Sequence, residues 1–386
     1  MAKTQYKIPY NKPFVAENTL AEIKALLEGG YALDGTGYYS QKCQKLLEDK
    51  YQVNKVLLTS SCTDALEMGV LLADIAPGDE VIMPSYTFVS TANAVILRGG
   101  VPVFVDIGED DFNMDWRLIK KAVTPKTKVI MPVHYGGNPC NMKIIGEIAR
   151  EYNLSVIEDA AQAINSFYRG RALGTFGNVG AISFHYTKNI QAGECGAIFI
   201  NDAKLSERAE IILEKGTNRK LFQRGAVSKY SWVDIGSSYC PSEITAAFLY
   251  AQLKEIDAIT QKRLTVWERY RQLFSVYETA GILKIPHGLP GTQANGHIFF
   301  VLMNTIRERD DFLQYLQNES IGAQTHFVPL HSSEYGVLHT KVVGSMEMTD
   351  RAYRCSLRLP IYDMTDDELN YVLATISAYL ESNYHV

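Results

Sequence analysis

The chain has 386 residues, of which 46% are hydrophobic and 21% are charged, and its formal net charge is -5. This length predicts one large domain and a smaller one, and the weak negative charge argues against nucleic acid or an anionic membrane as a partner. No run of about 18 apolar residues could span a bilayer, and the opening MAKTQYKIPYNKPF lacks the apolar core of a secretory signal, so we expect a cytoplasmic protein. The six cysteines are scattered without metal-ligand spacing, which predicts reduced thiols and no metal.

Short apolar runs alternate with amphipathic stretches from about residue 56 onward. The runs are KVLLTSS, EVIMPSY, VPVFVDI, KVIMPVHY and LSVIEDAA, and helical patterns such as MDWRLIKKAV and MKIIGEIAREY separate them. Strands that alternate with helices predict a parallel sheet covered on both faces. We therefore expect the functional side chains beyond the carboxyl ends of these strands.

A glycine-rich segment, YRGRALGTFGNVG, ends this alternation and is followed by two more strand candidates, AISFHY and GAIFIND. One long helical pattern over 242–280 then leads to a second domain, which contains the strand candidate HIFFVLM, a helix near DDFLQYLQNES and a final helix near DDELNYVLATISAYL. These patterns predict a large domain over 1–255 and a small C-terminal domain over 256–386.

The segment TSSCTDALE places small hydroxylated residues between a strand and a helix. Ser61 and Asp64 have the spacing of a helix-capping box, with Asp as a short substitute for Glu. The free amides of such a helix start can bind phosphate, although a plain helix cap explains the segment equally simply. The nucleotide motifs G-x-x-x-x-G-K-[ST] and G-x-G-x-x-G are absent, which argues against nucleotide-driven or nicotinamide chemistry.

Three further segments carry candidate functional residues. Asp159 closes the strand SVIED, where a buried carboxylate needs a cationic partner or caps the next helix. Lys188 lies on a glycine-containing turn, five residues after Ser183; it is either a surface lysine or an amine held rigidly enough to be a nucleophile. Phe88 follows the strand EVIMP and either stacks on a flat ligand or belongs to the core.

Together these features meet the needs of pyridoxal 5′-phosphate (PLP), which requires phosphate donors, a stacking face, an anion at the ring nitrogen and a lysine amine. At these residues the chain resembles the DegT/DnrJ/EryC1/StrS family of PLP-dependent sugar aminotransferases. The similarity runs through GDEVIMPSYTFVSTANAV, KVIMPVHYGG, VIEDAAQ, ALGTFGNVGAISFHYTKNI and FVPLH. It implies an α/β protein of PLP fold type I, the aspartate aminotransferase-like fold, with a mostly parallel seven-stranded sheet and a smaller C-terminal α/β domain.

Within the family, LLTSSCTDALEM, EKGTNR, KYSWVDIGSSY and SFHxTKN are most similar to the branch that makes dTDP-4-amino-4,6-dideoxygalactose. That resemblance implies transfer of an amino group from L-glutamate to C4 of a dTDP-4-keto-6-deoxy sugar, in a homodimer whose site lies at the subunit interface. Amination at C3, or at C4 to give the gluco epimer, is the near alternative. A non-catalytic binding or regulatory protein is the distant one, and Lys188 argues against the dehydratase branch, which has histidine there.

The resemblance also assigns roles to individual residues. Lys188 would hold the cofactor covalently and shuttle the proton between the cofactor carbon and the sugar carbon, and Asp159 would pair with the protonated ring nitrogen. Phe88 would stack on one ring face, and Gln162 would approach the oxygen-bearing ring edge. The phosphate would be held by the backbone amides of Cys62 and Thr63 and by the Ser183 hydroxyl, and the adjacent Ser61 would add its own hydroxyl.

Two positions depart from the family pattern. Ser238 stands where many members place an asparagine that reaches the phosphate of the neighbouring subunit. Cys195 stands in place of a glycine, and we expect its backbone to be αR or extended because a left-handed conformation would be strained.

The residues around the sugar are the least determined by the sequence. Arg219 and Arg224 would meet the substrate pyrophosphate from the other subunit, or they belong to a solvated basic loop. Strand alternation predicts that only one of His185 and Tyr186 points into the site. Three further histidines would border the sugar pocket, or they are core or surface residues: His297, His326 and His331.

Overall fold

The computed structural model describes residues 6–386. Every strand candidate named above forms a strand, and shorter strands accompany them. The strands are β1 (Lys55–Thr59), β2 (Glu80–Pro84), β3 (Val101–Val105), β4 (Thr127–Ile130), β5 (Ser155–Asp159), β6 (Phe167–Tyr168), β7 (Arg171–Ala172), β8 (Val179–Ser183), β9 (Gly196–Ile200), β10 (Leu283–Lys284), β11 (Thr292–Gln293), β12 (Phe299–Met303), β13 (Lys341–Val342) and β14 (Ser356–Leu359).

Helices separate most of these strands. They are α1 (Thr19–Glu28), α2 (Tyr38–Tyr51), α3 (Cys62–Leu72), α4 (Val89–Ile96), α5 (Trp116–Ala122), α6 (Met142–Tyr152), α7 (Ser206–Leu213), α8 (Arg219–Gln223), α9 (Glu243–Lys254), α10 (Ile256–Thr279), α11 (Ile306–Asn318), α12 (Glu334–His339), α13 (Glu347–Cys355) and α14 (Asp366–Asn383). None of the helices described within residues 6–386 is both long and apolar enough to cross a bilayer.

The large sheet has the strand order β1-β9-β8-β5-β4-β2-β3-β13. All neighbouring strands are parallel except at β9, which runs antiparallel to both β1 and β8. The prediction of a mostly parallel sheet of seven strands is confirmed. The eighth strand, β13, comes from the C-terminal part of the chain and pairs with β3 at Val103 and Phe104.

Helices cover both faces of this sheet, which is why its strands are continuous apolar runs. Val81 and Met83 of β2 pack in the same cluster as the buried residues of α3. Ile82, which points to the opposite face, packs with Ile145 and Ile148 of α6. The sheet therefore fixes the carboxyl ends of its strands in a rigid layer, and the candidate site residues lie at those ends.

The C-terminal part has its own core around the antiparallel sheet β10-β12-β14. The segments are not cleanly divided at residue 255, because Ile8 packs in this C-terminal core whereas Leu330 and Met346 pack in the core of the large sheet. The domain limits 1–255 and 256–386 remain a prediction.

The predicted single helix over 242–280 is wrong in one respect. It is two helices, α9 and α10, separated at Glu255, whose backbone angles are φ -101 and ψ 8. The break lets α9 pack in the large domain while most of α10 packs against the C-terminal core. An amphipathic pattern does not record such a change of packing partner.

Glu243 at the start of α9 fixes the start of α2. Its buried carboxylate accepts hydrogen bonds from the backbone amides of Gly37 (3.2 Å), Tyr39 (2.6 Å) and Ser40 (3.1 Å).

We expect Glu243→Gln to lower the free energy of unfolding by about 2 kcal/mol, since one buried amide loses its charged acceptor. Urea unfolding checks this, with the exposed Glu255→Gln as control; equal losses in the two variants would contradict it.

Candidate active site

The start of α3 presents two free backbone amides beyond the end of β1. Ser61 caps the helix, and its Oγ accepts a hydrogen bond from the Asp64 amide at 3.1 Å. The capping box is only half formed, because the Asp64 carboxylate accepts from the Ser60 hydroxyl instead of reaching back to the Ser61 amide. Across residues 6–386, the amides of Cys62 and Thr63 have no hydrogen-bond partner. They are the donors that a helix start offers to an anion.

The turn after β8 brings β9 against this helix start. A Cβ atom at Gly196 would lie 2.5 Å from the Cys62 nitrogen, so no other residue fits without moving the helix. The left-handed conformation in the turn belongs to Gly193, with φ 74, and Cys195 is not among the residues with positive φ. The expectation for the Cys195 backbone is confirmed.

If the Cys62 and Thr63 amides hold the phosphate of PLP, as the resemblance implies, Gly196→Ala should weaken PLP binding by displacing them. We expect the dissociation constant for PLP to rise at least about tenfold and the free energy of unfolding to fall by about 1–3 kcal/mol, the usual cost of overpacking. Fluorescence titration with PLP and urea unfolding measure the two effects. The control is Gly146→Ala on α6, where a Cβ meets only the flexible end of Arg150 at 3.5 Å; a similar loss there would contradict the steric argument.

Asp159 is buried at the end of β5, where it has polar partners but contacts no cation of residues 6–386. Its Oδ2 accepts from the Thr91 hydroxyl at 2.7 Å, and its Oδ1 accepts from the Ala161 amide at 3.1 Å. The Thr91 hydroxyl is in turn 2.7 Å from the Thr87 hydroxyl. Burial raises the pKa of Asp159, and these hydrogen bonds and the charge of Lys188 act against that rise. A bound cationic nitrogen would stabilise this carboxylate.

Lys188 lies on the turn between β8 and β9. Its backbone amide donates to the His185 carbonyl at 2.8 Å, which holds the turn, but its Nζ makes no hydrogen bond or ion pair within the described part of the chain. Burial lowers the pKa of Lys188; the positive charge of Arg358 lowers it further, whereas Cys62 and Asp159 act to raise it. An amine with a lowered pKa is more often neutral and is therefore a better nucleophile.

The remaining predicted cofactor residues surround these groups. Phe88 is 58% exposed and lies 6.3 Å from Phe327 between ring centroids, so the alternative that Phe88 belongs to the core is wrong. Gln162 uses its carbonyl oxygen to accept from the Gly136 amide at 2.6 Å, which leaves its NH₂ group as a donor. Ser183 is buried, and its hydroxyl oxygen accepts from the His185 amide at 3.3 Å.

Two of the predicted histidines are half-buried, and one of them, His297, contacts the lysine turn. His297 Nδ1 lies 2.8 Å from the side-chain oxygen of Asn189, the residue after Lys188, and His326 Nδ1 lies 2.5 Å from the Tyr135 hydroxyl. Burial holds the pKa of both rings well below the ordinary value, so both are neutral at pH 7. His331 instead lies beside Ser85, with Nδ1 2.9 Å from the Ser85 hydroxyl.

The strand alternation behind the prediction for His185 and Tyr186 is absent, and which ring faces the site remains a prediction. β8 ends at Ser183, so strand alternation does not extend to these residues, and their ring centroids lie only 4.5 Å apart. The two rings therefore lie on the same side of the turn. Tyr186 is 52% exposed, and His185 Nδ1 lies 2.8 Å from the Thr187 hydroxyl.

Three predicted residues make no contact with this cluster. Arg224 forms two hydrogen bonds with Glu210, at 2.9 and 2.7 Å, and Arg219 lies 3.6 Å from Asp34 and from Glu214. Ser238 is exposed and pairs through its backbone with Glu214. Neither arginine has a hydrogen bond or ion pair with the residues around Lys188.

The donor set fits PLP. The free amides of Cys62 and Thr63 suit its phosphate, the amine of Lys188 suits its aldehyde, and the buried carboxylate of Asp159 suits its ring nitrogen. The exposed face of Phe88 suits its ring. Sequence reasoning missed Thr91, whose hydroxyl donates to the Asp159 carboxylate, and Thr87, whose hydroxyl contacts that of Thr91.

A mostly parallel sheet with these groups at its strand ends defines a PLP-dependent transferase of fold type I. Residues 13–377 match the DegT/DnrJ/EryC1/StrS aminotransferase family. The chain therefore belongs to this family, whose aminotransferases depend on PLP, and the protein is an aminotransferase.

Three similar proteins illustrate the relationship. The spore coat polysaccharide biosynthesis protein SpsC of Bacillus subtilis is 30% identical over 387 residues, which cover 97% of each chain. The structure of the aminotransferase TlmJ from Streptoalloteichus hindustanus is 28% identical with a TM-score of 0.88, covering 97% of this chain and 99% of TlmJ. DesV of S. venezuelae is 30% identical with a TM-score of 0.84, covering 94% of each chain.

Proposed function

We propose that this aminotransferase moves an amino group from L-glutamate to C4 of dTDP-4-keto-6-deoxy-D-glucose, giving dTDP-4-amino-4,6-dideoxygalactose for a surface polysaccharide. The observation that carries the proposed chemistry is the pairing of β5 with β8, which places the buried carboxylate of Asp159 at the sheet end where the Lys188 turn begins. The sugar substrate is supported by the motifs EKGTNR and KYSWVDIGSSY and by the similarity to SpsC, which is named for polysaccharide biosynthesis.

Bound PLP supplies an electron sink that makes the hydrogen on the amine-bearing carbon acidic. Lys188 would hold the cofactor, and its amine, once released, would take that proton and return it to the acceptor carbon. The lowered pKa of Lys188 suits this role because a base is most effective when its pKa lies near the working pH. Asp159, held by Thr91 and the Ala161 amide, would keep a proton on the ring nitrogen.

The other predicted site residues would position the two ligands. We assign the phosphate to the Cys62 and Thr63 amides with the hydroxyls of Ser61 and Ser183, one ring face to Phe88 and the oxygen-bearing edge to the free NH₂ of Gln162. Substrate contacts are assigned to a separate set, namely His185, Tyr186, His326 and His331.

A second copy of the chain would complete the site. We assign Arg219, Arg224 and Ser238 to the subunit that faces the cofactor from across a homodimer interface. The exposed apolar side chains of the neighbouring segment 230–235 support such an interface, and Trp232 in it is 81% exposed. Such a homodimer would work in the cytoplasm.

The product test uses the purified enzyme with PLP, dTDP-4-keto-6-deoxyglucose and L-glutamate. NMR of the product gives the position of the amino group and its axial or equatorial orientation. An axial amine at C4 is expected. An equatorial amine at C4 would assign the gluco epimer, and no reaction at C4, with amination of a 3-keto sugar instead, would overturn the proposed position.

A further inference from the structure

His134 is fully buried between β4 and α6, and both nitrogens of its ring form hydrogen bonds. The Cys140 amide donates to Nδ1 at 3.1 Å, so that nitrogen carries no proton. Nε2 must then carry the proton, and it donates to the Glu158 carboxylate at 2.8 Å. The ring is therefore a neutral link between two segments of the chain, and it cannot rotate without losing both hydrogen bonds.

Glu158 holds this ring on the rigid layer of the sheet. It is completely buried in β5, and its side chain points away from that of its neighbour Asp159 because side chains alternate along a strand. Besides the His134 ring, its carboxylate accepts from the backbone amides of Gly174 at 3.0 Å and Gly177 at 2.6 Å. Three donors replace the hydration that a buried carboxylate loses. Glu158 is therefore a fixed point, although it is not itself among the groups that suit PLP.

The loop 134–140 connects this network to the candidate site. Its first residue donates its backbone amide to the Asp159 carbonyl at 3.0 Å, and Gly136 donates its amide to Oε1 of Gln162 at 2.6 Å. Gly136 makes this contact from a left-handed conformation, with φ 63. A backbone N–H can only donate, so it keeps the oxygen of the Gln162 amide on its own side and directs the NH₂ group away from the loop. The orientation of the Gln162 amide thus depends on where the loop places Gly136.

We propose that His134 is a positioning residue for the PLP ring. Held by Glu158, it keeps Gly136 in place, and Gly136 in turn aims the NH₂ group of Gln162 at the oxygen-bearing ring edge. This role rests on the edge assigned to Gln162 in the proposed function. A donor at that edge stabilises negative charge on the ring oxygen, so the nearby nitrogen that joins Lys188 to the cofactor holds its proton less tightly. Without the His134 ring the loop loses its link to Glu158, Gly136 can move, and the amide is free to turn its oxygen toward the ring.

The test compares His134→Leu, Gln162→Ala and the double variant with the wild type, each loaded with PLP alone. The readout is the pH midpoint at which the visible absorption of bound PLP changes, because that change follows the proton on the nitrogen that joins Lys188 to the cofactor. We expect the midpoint to rise by about one pH unit in each single variant, the effect of losing one hydrogen bond to a charged group, and no further in the double variant. In His134→Asn, Oδ1 can replace Nδ1 as the acceptor for the Cys140 amide, but no group replaces Nε2. This variant should fold and raise the midpoint by less than His134→Leu.

Glu243→Gln is the control for lost stability, since it weakens a buried carboxylate network at the starts of α2 and α9, outside the loop 134–140. It should unfold more easily in urea and yet keep the wild-type midpoint. An unchanged midpoint in both His134 variants, or shifts that add up in the double variant, would overturn the positioning role and leave the assignment of Gln162 intact. An unchanged midpoint in Gln162→Ala would refute the ring edge assigned to Gln162, and the positioning role with it. These measurements use neither sugar nor amino donor, so they are independent of the proposed substrates.

Discussion

Lys188→Ala is expected to lower kcat for amino transfer by about 10⁴-fold, because one amine serves as both the covalent anchor and the base. The purified variant should also lose the visible absorption of bound PLP after dialysis. Steady-state kinetics with L-glutamate and the keto sugar, together with an absorption spectrum, measure both effects.

The exposed Lys204→Ala is the matched control for this variant, because Lys204 follows β9 and does not belong to the turn that carries Lys188. It should retain both the visible band and the turnover. Added methylamine should restore part of the activity of Lys188→Ala if the side chain acts as a base. Full turnover by Lys188→Ala without any amine would exclude the assigned role.

Asp159→Asn is expected to reduce kcat by about 10²–10³-fold, the usual effect of removing one fixed electrostatic partner from a reaction centre. Asparagine has nearly the same shape but no charge, so it cannot hold the proton on the ring nitrogen. In the cofactor-free protein, by contrast, we expect Asp159→Asn to raise the free energy of unfolding. Burial raises the pKa of Asp159 above its ordinary value of 3.8, which means that folding disfavours the carboxylate.

The sign of the pH dependence follows from this shift. Below about pH 3.8 Asp159 is protonated in both the folded and the unfolded state, so the free-energy cost of burying its charged carboxylate is absent. This free-energy cost grows as the pH rises from about 3.8 to the raised pKa of the folded state, and it is constant at higher pH. Urea unfolding of the cofactor-free protein should therefore show Asp159→Asn to be more stable than wild type at pH 7, with the gain lost in acid. The partly exposed Asp363→Asn should show neither effect, and a lower stability of Asp159→Asn at pH 7 would refute the argument.

The large sheet was predictable because its strands are buried on both faces. Continuous apolar runs such as EVIMP can be recognised from the sequence alone, and the helices between them show the apolar periodicity of amphipathic helices. The break at Glu255 and the pairing of β13 were not predictable, because both depend on contacts between distant segments. A two-residue strand has no sequence signal of its own.

The site was predictable to the extent that its residues close a strand or occupy a turn. Asp159 and Lys188 could be named in this way, and their catalytic roles remain predictions. Thr91 could not be identified as a partner of Asp159, because the hydroxyl of a threonine in the first turn of a helix usually forms a hydrogen bond with the backbone.

The pairing of β13 with β3 has a consequence for how the chain is made. β3 is complete early in synthesis, but the segment that covers its outer edge is among the last to leave the ribosome. Until then the nascent polypeptide carries an exposed, apolar strand edge of the kind that recruits other chains. We therefore expect a fragment that ends before Lys341 to expose the β3 edge at Val103 and Phe104 and to aggregate more readily than the full chain.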